Sequence, residues 1–282
     1  MGESTGTASR RTTDAASSPD PGRLAPHRVA LAGDWHGNTP WAQHVIDEAA
    51  AQGCDVLVHL GDFGLWPGRG GRDYIDTLSE HLERHSVTLF WVDGNHDDHG
   101  ALATAPPVDG VHLIAPRIIH LPRGFRWSWH GRTWLAFGGA VSIDRNSRIP
   151  TRSWWPEEVI SNVDVATCIA GGPADVIVAH DCPAGVAAVE AVVGDPVWNL
   201  PPDIEADSSA NRRRMREIVD AVHPSVVYHG HYHLAYRERF ALSDGASAEA
   251  VGLDCDGTSL EGNLLVLPPR DRSLDDIGGT SP

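Results

Sequence analysis

The chain contains no lysine: all 22 of its basic residues are arginine, set against 38 acids for a formal charge of −16. So acidic a composition lacks the basic footprint of a protein that grips a nucleic-acid backbone, and it disfavours docking on anionic lipid. Cysteine is scarce. Cys54, Cys168, Cys182 and Cys255 stand far apart with no CxxC pair, which removes the zinc ribbon and the thioredoxin-like motif. Four scattered thiols in 282 residues do not make a disulfide framework, so a reducing, cytoplasmic setting is the expectation. No apolar run reaches the ~18 residues of a membrane helix. Residues 1–26 are rich in Ser, Thr, Ala, Pro and Gly and lack the apolar stretch of a secretory signal.

What is present fits an ordinary globular protein. Hydrophobic residues are 41% and charged residues 21%, enough for a core. Histidine is abundant, with 16 copies, and many acids with many histidines are the raw material of metal sites. Low-complexity composition marks 1–26 and 269–282 as flexible tails, and 27–268, without an internal repeat or a long linker, reads as a single domain.

The domain alternates short apolar runs with helical patterns. Strands are expected at 28–32, 55–60 and 87–92, separated by helices at 39–52 and 73–85, the first opened by Thr39 as N-cap and Pro40 in the first turn. That spacing means parallel pairing through right-handed crossovers. Runs at 117–121, 125–129 and 133–137 read as antiparallel hairpins. A helix over 156–170, a strand at 175–179, a Pro/Asp-rich stretch at 194–207, a helix at 209–222 and strands near 226–228, 236–240, 249–253 and 264–267 follow. The class is α/β with mixed sheets.

The chemistry sits directly after the strands. Gly33-Asp34-Trp35-His36 follows the first strand, Gly61-Asp62 the second and Gly94-Asn95-His96-Asp97 the third. His180-Asp181 and Gly230-His231-Tyr232-His233 follow two later strands. Ligands of open α/β sheets gather at the carboxyl ends of strands, and a glycine before the functional residue permits a sharp turn. Each block alone is equally well a turn or cap; the ordered set of five is not a chance arrangement.

This set resembles the calcineurin-like metallophosphoesterase superfamily, whose blocks all occur here in order across residues 34–233. The resemblance implies two mixed β-sheets packed as a sandwich and flanked by helices, with a two-metal site at one end. It implies that Asp34, His36 and His233 hold one divalent ion, that Asn95, His180 and His231 hold a second, and that Asp62 bridges them. The reaction implied is hydrolysis of a phosphodiester or phosphomonoester by in-line attack of a metal-bridging hydroxide. His96 is placed by resemblance near the leaving group, as general acid or charge stabiliser, and Asp97 either orients His96 or caps a helix. Imidazole and carboxylate donors suit Mn²⁺, Fe²⁺ or Zn²⁺ better than Ca²⁺.

The protein Ser/Thr phosphatase branch continues its second block with Asp-Arg-Gly. Here Gly61-Asp62 runs into Phe63-Gly64-Leu65-Trp66, so that phosphate-binding arginine is absent and the chain looks more like the phosphodiesterase branch. Arg145, in a loop after the 133–137 strand, is the candidate substrate-binding replacement; Arg69, Arg72 and Arg148 also lie in loop-like segments, and a solvated loop arginine is the alternative. The partner implied is a small phosphate-ester substrate, with no membrane and with nucleic acid disfavoured by charge. A metal-dependent nuclease and a non-catalytic interaction scaffold on the same fold are the competing readings. The complete set of seven donors weighs against the scaffold.

Overall fold

The computed structural model describes residues 20–269. Most of the two expected tails, 1–19 and 270–282, lies outside the described residues. The end of the first tail is anchored: Pro21–Arg23 forms a 3-10 turn with Pro21 buried, and the Pro21 carbonyl accepts from Trp129 Nε1 at 2.8 Å. The folded unit therefore starts before the expected boundary at residue 27.

Two six-stranded mixed sheets stack face to face. In the first, β1 (Val29–Ala32), β2 (Val56–His59) and β3 (Thr88–Trp91) run parallel, as the crossover pattern requires. They are joined by α1 (Thr39–Ala51) and α2 (Gly68–His85). After α3 (His99–Thr104), β4 (His112–Ala115) and β5 (Ile118–His120) complete one edge. The second sheet contains β6 (Arg126–Trp129), β7 (Arg132–Phe137), β8 (Val176–Ala179), β9 (Val226–His229), β10 (Tyr236–Ala241) and β11 (Ser247–Gly252). Helices α4 (Asn162–Ala170), α5 (Ala187–Val193) and α6 (Pro202–Val222) lie on its outer side. A last turn, α7 (Leu260–Asn263), returns β12 (Leu264–Val266) to the free edge of β1, antiparallel to it.

The central strands β1, β2, β8 and β9 are buried on both faces, which is why they read as continuous apolar runs rather than alternating ones. Val29, Leu31, Val56, Val58 and Phe90 face Trp129, Trp134, Val176, Val178 and Tyr228 of the other sheet. The alternate residues Ala30, Leu57, Leu89 and Trp91 pack under α1 and α2, against Val45, Ile46, Leu78 and Leu82. Leu135, Ile177 and Val227 do the same under α4 and α6. The result is a four-layer helix–sheet–sheet–helix stack.

Several expectations are corrected. Asn38, not Thr39, caps α1, its side chain accepting from Trp41 N. Helix α2 begins at Gly68 rather than residue 73, because its first turn is glycine-rich and carries little apolar signal; Arg69 and Arg72 are thus helical. The expected helix over 156–170 is a 3-10 turn followed by α4, which Ser161 restarts through a capping box with Asp164. Helix α6 starts at Pro202, inside the Pro/Asp-rich stretch, since proline is tolerated in a first turn. Of the three hairpin-like runs only β6 and β7 pair as a hairpin; β5 joins the first sheet parallel to β3. Helices α3 and α5 and strand β4 are additions to the expected elements, each too short for a period to show.

Phe90 is fully buried between the sheets, its ring 5.7 Å from that of Trp129. Phe90→Ala should cost about 3–5 kcal/mol through lost burial and the cavity left behind. Equilibrium urea unfolding checks this: a lower midpoint at unchanged slope is expected.

Candidate metal centre

The loops after β1, β2, β3, β8 and β9 open at the same end of the stack, and they bring the seven expected donors together from both sheets. One ligand atom each from Asp34, His36 and His233 lies within 4.8 Å of the others, as does one each from Asp34, Asp62 and His180. His233 Nε2 stands 3.2 Å from Asp34 Oδ2, and His36 Nε2 3.4 Å from Asp62 Oδ2. His180 Nε2 lies 3.1 Å from Asn95 Oδ1 and 3.4 Å from Asp62 Oδ1. The His231 ring is 5.0 Å from that of His180, and its backbone N–H donates to the Asp34 carboxylate.

Backbone geometry explains the glycines. His36, Asp62, His231 and His233 have φ of 46°, 52°, 68° and 49°, a left-handed conformation that costs non-glycine residues energy and that gathers at functional sites. The strain sits on the donors themselves, not on every glycine before them. Gly94 and Gly230 are needed for closeness: a Cβ on Gly94 would stand 2.1 Å from Asp62 N, and one on Gly230 2.1 Å from Asp34 Oδ1. Each of these glycines makes room for an acid delivered by a different strand.

A second layer orients the donors, as metal-binding imidazoles require. Asp256 holds His36 Nδ1 at 2.8 Å and Asn38 Nδ2 at 2.7 Å. The Leu60 carbonyl holds His180 Nδ1 at 2.7 Å, leaving Nε2 toward the centre. Asn95 Nδ2 donates to Ser142 Oγ at 3.2 Å, and Ser142 donates in turn to Glu158 at 2.7 Å. Asp256, Ser142 and Glu158 carry no sequence signal. Asp256 lies in what reads as an ordinary turn, Asp254-Cys255-Asp256-Gly257, and the other two are far from any block.

Asp97 neither orients His96 nor caps a helix. Its buried carboxylate accepts from the backbone N–H groups of Gly64, Leu65 and Gly94 at 3.0, 3.1 and 2.9 Å, tying the loop after β2 to the loop after β3. The cap of α3 is Asp98. Burial, with Asp62 nearby, pushes the Asp97 carboxyl up to about 7. Arg145 is not at the centre. Its guanidinium is held by Asp207 at 2.7 Å and Asp203 at 2.9 Å, because α6 begins early enough to present both acids to it. Arg148 takes the place expected of Arg145: its Nη2 lies 2.6 Å from His96 Nδ1 and 2.7 Å from Nε2. His96 Nε2 itself lies 3.9 Å from Asp62 Oδ2, and with His36 and Asp62 it forms a further group of convergent donors.

Asp34 and Asp62 are both buried, a costly arrangement unless positive charge is close. Burial would raise Asp62, but His180, His96 and His36 hold it well below the usual carboxylate range. Asp34 is lowered against burial by His233 and His180. The imidazoles respond in kind. Against burial, Asp62 and Asp34 push His180 up to about 10 and His36 up to about 9, while the hydrogen bond to Asp34 pushes His233 up to about 11. Burial, then His180, push His231 down to about 4. A pair of buried acids ringed by imidazoles is a donor set that fits divalent cations.

A family model described as calcineurin-like phosphoesterase matches residues 27–235, well over half of the chain. The chain belongs to the calcineurin-like phosphoesterase family. Membership carries the general activity, metal-dependent hydrolysis of phosphate esters. Among solved structures, TT1561 of Thermus thermophilus is similar in fold, with a TM-score of 0.51 at 14% identity over 86% of this chain and 99% of that one. A dimetal phosphatase from Danio rerio, LOC 393393, aligns at a TM-score of 0.49 and 14% identity over 87% of this chain and 94% of that one. No curated protein sequence matches the chain. Among the described residues, no helix is long and apolar enough to cross a membrane.

The raised imidazoles give a sign to the pH dependence of the chelator-treated protein. Their folded values lie above that of free imidazole, so the stability they contribute is full below pH ~6.5 and is lost as pH rises through about 9 to 11. Thermal unfolding after chelation should therefore show Tm falling over that window, and the metal-loaded protein should not show the same fall. Calorimetric titration with Mn²⁺ in buffers of different ionisation enthalpy should also show protons released on binding at neutral pH.

Proposed function

We propose that the protein hydrolyses small phosphodiesters at a two-metal centre. The observation that carries the reading is the convergence of Asp34, His36, Asp62, Asn95, His180, His231 and His233, from both sheets, at one end of the stack. Two divalent ions (Mn²⁺, Fe²⁺ or Zn²⁺), one with Asp34, His36 and His233, one with Asn95, His180 and His231, and Asp62 shared between them, would supply Lewis acidity toward the phosphoryl oxygens and a water of lowered pKa.

His96 and Arg148 act on the substrate as a unit. The His96 backbone is pinned by its N–H to Asp62 Oδ1 at 2.7 Å. Burial and the Arg148 charge lower its pKa against the pull of Asp62, which favours the neutral ring. One ring nitrogen accepts from Arg148; the other, 2.6–2.7 Å from the same guanidinium nitrogen, must turn away from Arg148 to donate to a phosphoryl or leaving oxygen. Asp144 at 2.8 Å and the Ser153 carbonyl at 3.2 Å hold Arg148 in place, which prepays the ordering of a long side chain. Arg148 supplies the positive charge that the missing Asp-Arg-Gly arginine would have given.

Trp66 favours a diester over a monoester. Its indole bonds the His96 carbonyl through Nε1 at 3.0 Å, lies beside Gly37, and is 42% exposed. One guanidinium beside an exposed indole suits a monoanionic phosphate that carries a second, apolar or aromatic ester arm. The four thiols are unpaired, which supports a reducing compartment, the cytosol.

With Mn²⁺, the protein should hydrolyse bis-p-nitrophenyl phosphate with higher kcat/KM than p-nitrophenyl phosphate, and the reverse order would overturn the diester assignment. Asp62→Ala should abolish turnover in a folded chain. His96→Ala should slow turnover about 10²–10⁴-fold while elemental analysis shows both metals retained; metal loss would make His96 a ligand. Arg148→Ala should raise KM more than it lowers kcat, if its main work is holding the phosphate.

A further inference from the structure

We propose a third metal site, for a borderline transition cation such as Zn²⁺, formed by Asp47 of α1 with His81 and His85 of α2. His81 Nε2 and His85 Nε2 converge on the same oxygen, Asp47 Oδ1, at 2.7 and 2.9 Å. The two imidazoles are four residues apart on one face of α2, with ring centroids 4.8 Å apart. The three donor atoms lie within 4.8 Å of one another. Zinc–nitrogen and zinc–oxygen bonds near 2.0–2.2 Å put tetrahedral ligands about 3.3 Å apart, so each nitrogen need retreat from Asp47 by only about half an ångström.

The site is half-walled. The His81 side chain is 8% exposed, whereas His85 is 33% and Asp47 52% exposed. The inner ligand is thus fixed by packing, and the outer two leave a fourth position to water or an external ligand. Electrostatics favour a cation here beyond the carboxylate: His81 and His85 stand in the last turns of α2 and Asp47 in the last turns of α1, where helix ends carry partial negative charge. Both helices run back from the strand ends of the parallel sheet. The site therefore lies at the opposite end of the sheet from the strand-end centre and is independent of it.

Arg84 regulates occupancy. Its Nη2 lies 2.9 Å from His81 Nδ1. A guanidinium only donates, so this contact requires the His81 proton on Nε2, where it bonds Asp47. A cation needs the Nε2 lone pair, hence the proton on Nδ1 and the exposed Arg84 turned away. The cation replaces the two N–H···O bonds to Asp47, and the Nε2 protons of His81 and His85 each move to Nδ1. A bound ion would tie α1 to α2 across 34 residues of chain.

Equilibrium dialysis of the chelator-treated full chain against Zn²⁺, followed by elemental analysis, tests the proposal. Wild type should retain one equivalent more than His85→Gln or Asp47→Asn, while both variants hydrolyse bis-p-nitrophenyl phosphate with Mn²⁺ at the wild-type rate. Arg84→Ala should tighten the extra equivalent by about tenfold, the scale of an outer-shell effect on metal affinity. Equal stoichiometry in wild type and both surface variants, whose circular dichroism confirms folding, would overturn the site. An extra equivalent that Arg84→Ala leaves unchanged in affinity would overturn the role given to Arg84.

Discussion

The constraint on which the fold turns is the confinement of two carboxylates, Asp34 and Asp62, where water does not reach them. Charges in such a place are tolerated only beside opposite charge. The chain meets this by surrounding both acids with imidazoles carried on other strands, and the cost appears in the backbone, with left-handed conformations at four donor residues. The glycines follow from the same crowding. Gly94 and Gly230 are bare because an acid from a neighbouring loop occupies the space a side chain would take.

The order of motifs makes the centre legible in the sequence, since each donor stands immediately past an apolar run that could only be a buried strand. That placement brings out Asp34, His36, Asp62, Asn95, His180, His231 and His233 as candidates; their roles as donors are what the family resemblance implies. The groups that steady them do not stand out in this way. Asp256 meets His36 across 220 residues of chain, and Glu158 reaches Asn95 only through Ser142. Such contacts depend on how loops fold over the strand ends, and loop chemistry is degenerate in sequence. Arg145 and Arg148 show the limit most directly: only three residues apart, they take different partners, Arg145 the acids at the start of α6 and Arg148 His96.

The fold itself is readable where burial is strongest. The parallel core of β1, β2 and β3 is evident because both faces are covered and the strands lose their alternation. Edges and short elements are not: β4, α3 and α5 hold too few residues for a period to show, and α2 and α6 begin in glycine- or proline-rich turns that resemble loops. Asp97 misleads for a related reason. An acid just past a strand looks like a helix cap, but here its neighbour Asp98 caps while Asp97 gathers backbone donors from two loops.

The donors are split between the two sheets, and this has a consequence for how the protein comes into being. Asp34, His36, Asp62 and Asn95 belong to the first sheet, whereas His180, His231 and His233 belong to the second. Neither sheet alone offers the complete set proposed for either ion. As the chain emerges during synthesis, the early half can pair β1, β2 and β3 and set His36 beside Asp62, while His180 and His233, the imidazoles nearest Asp34, come only with the late half. A metal held there would act as a clasp between the two sheets, and a chain whose sheets have not met could not assemble the proposed site.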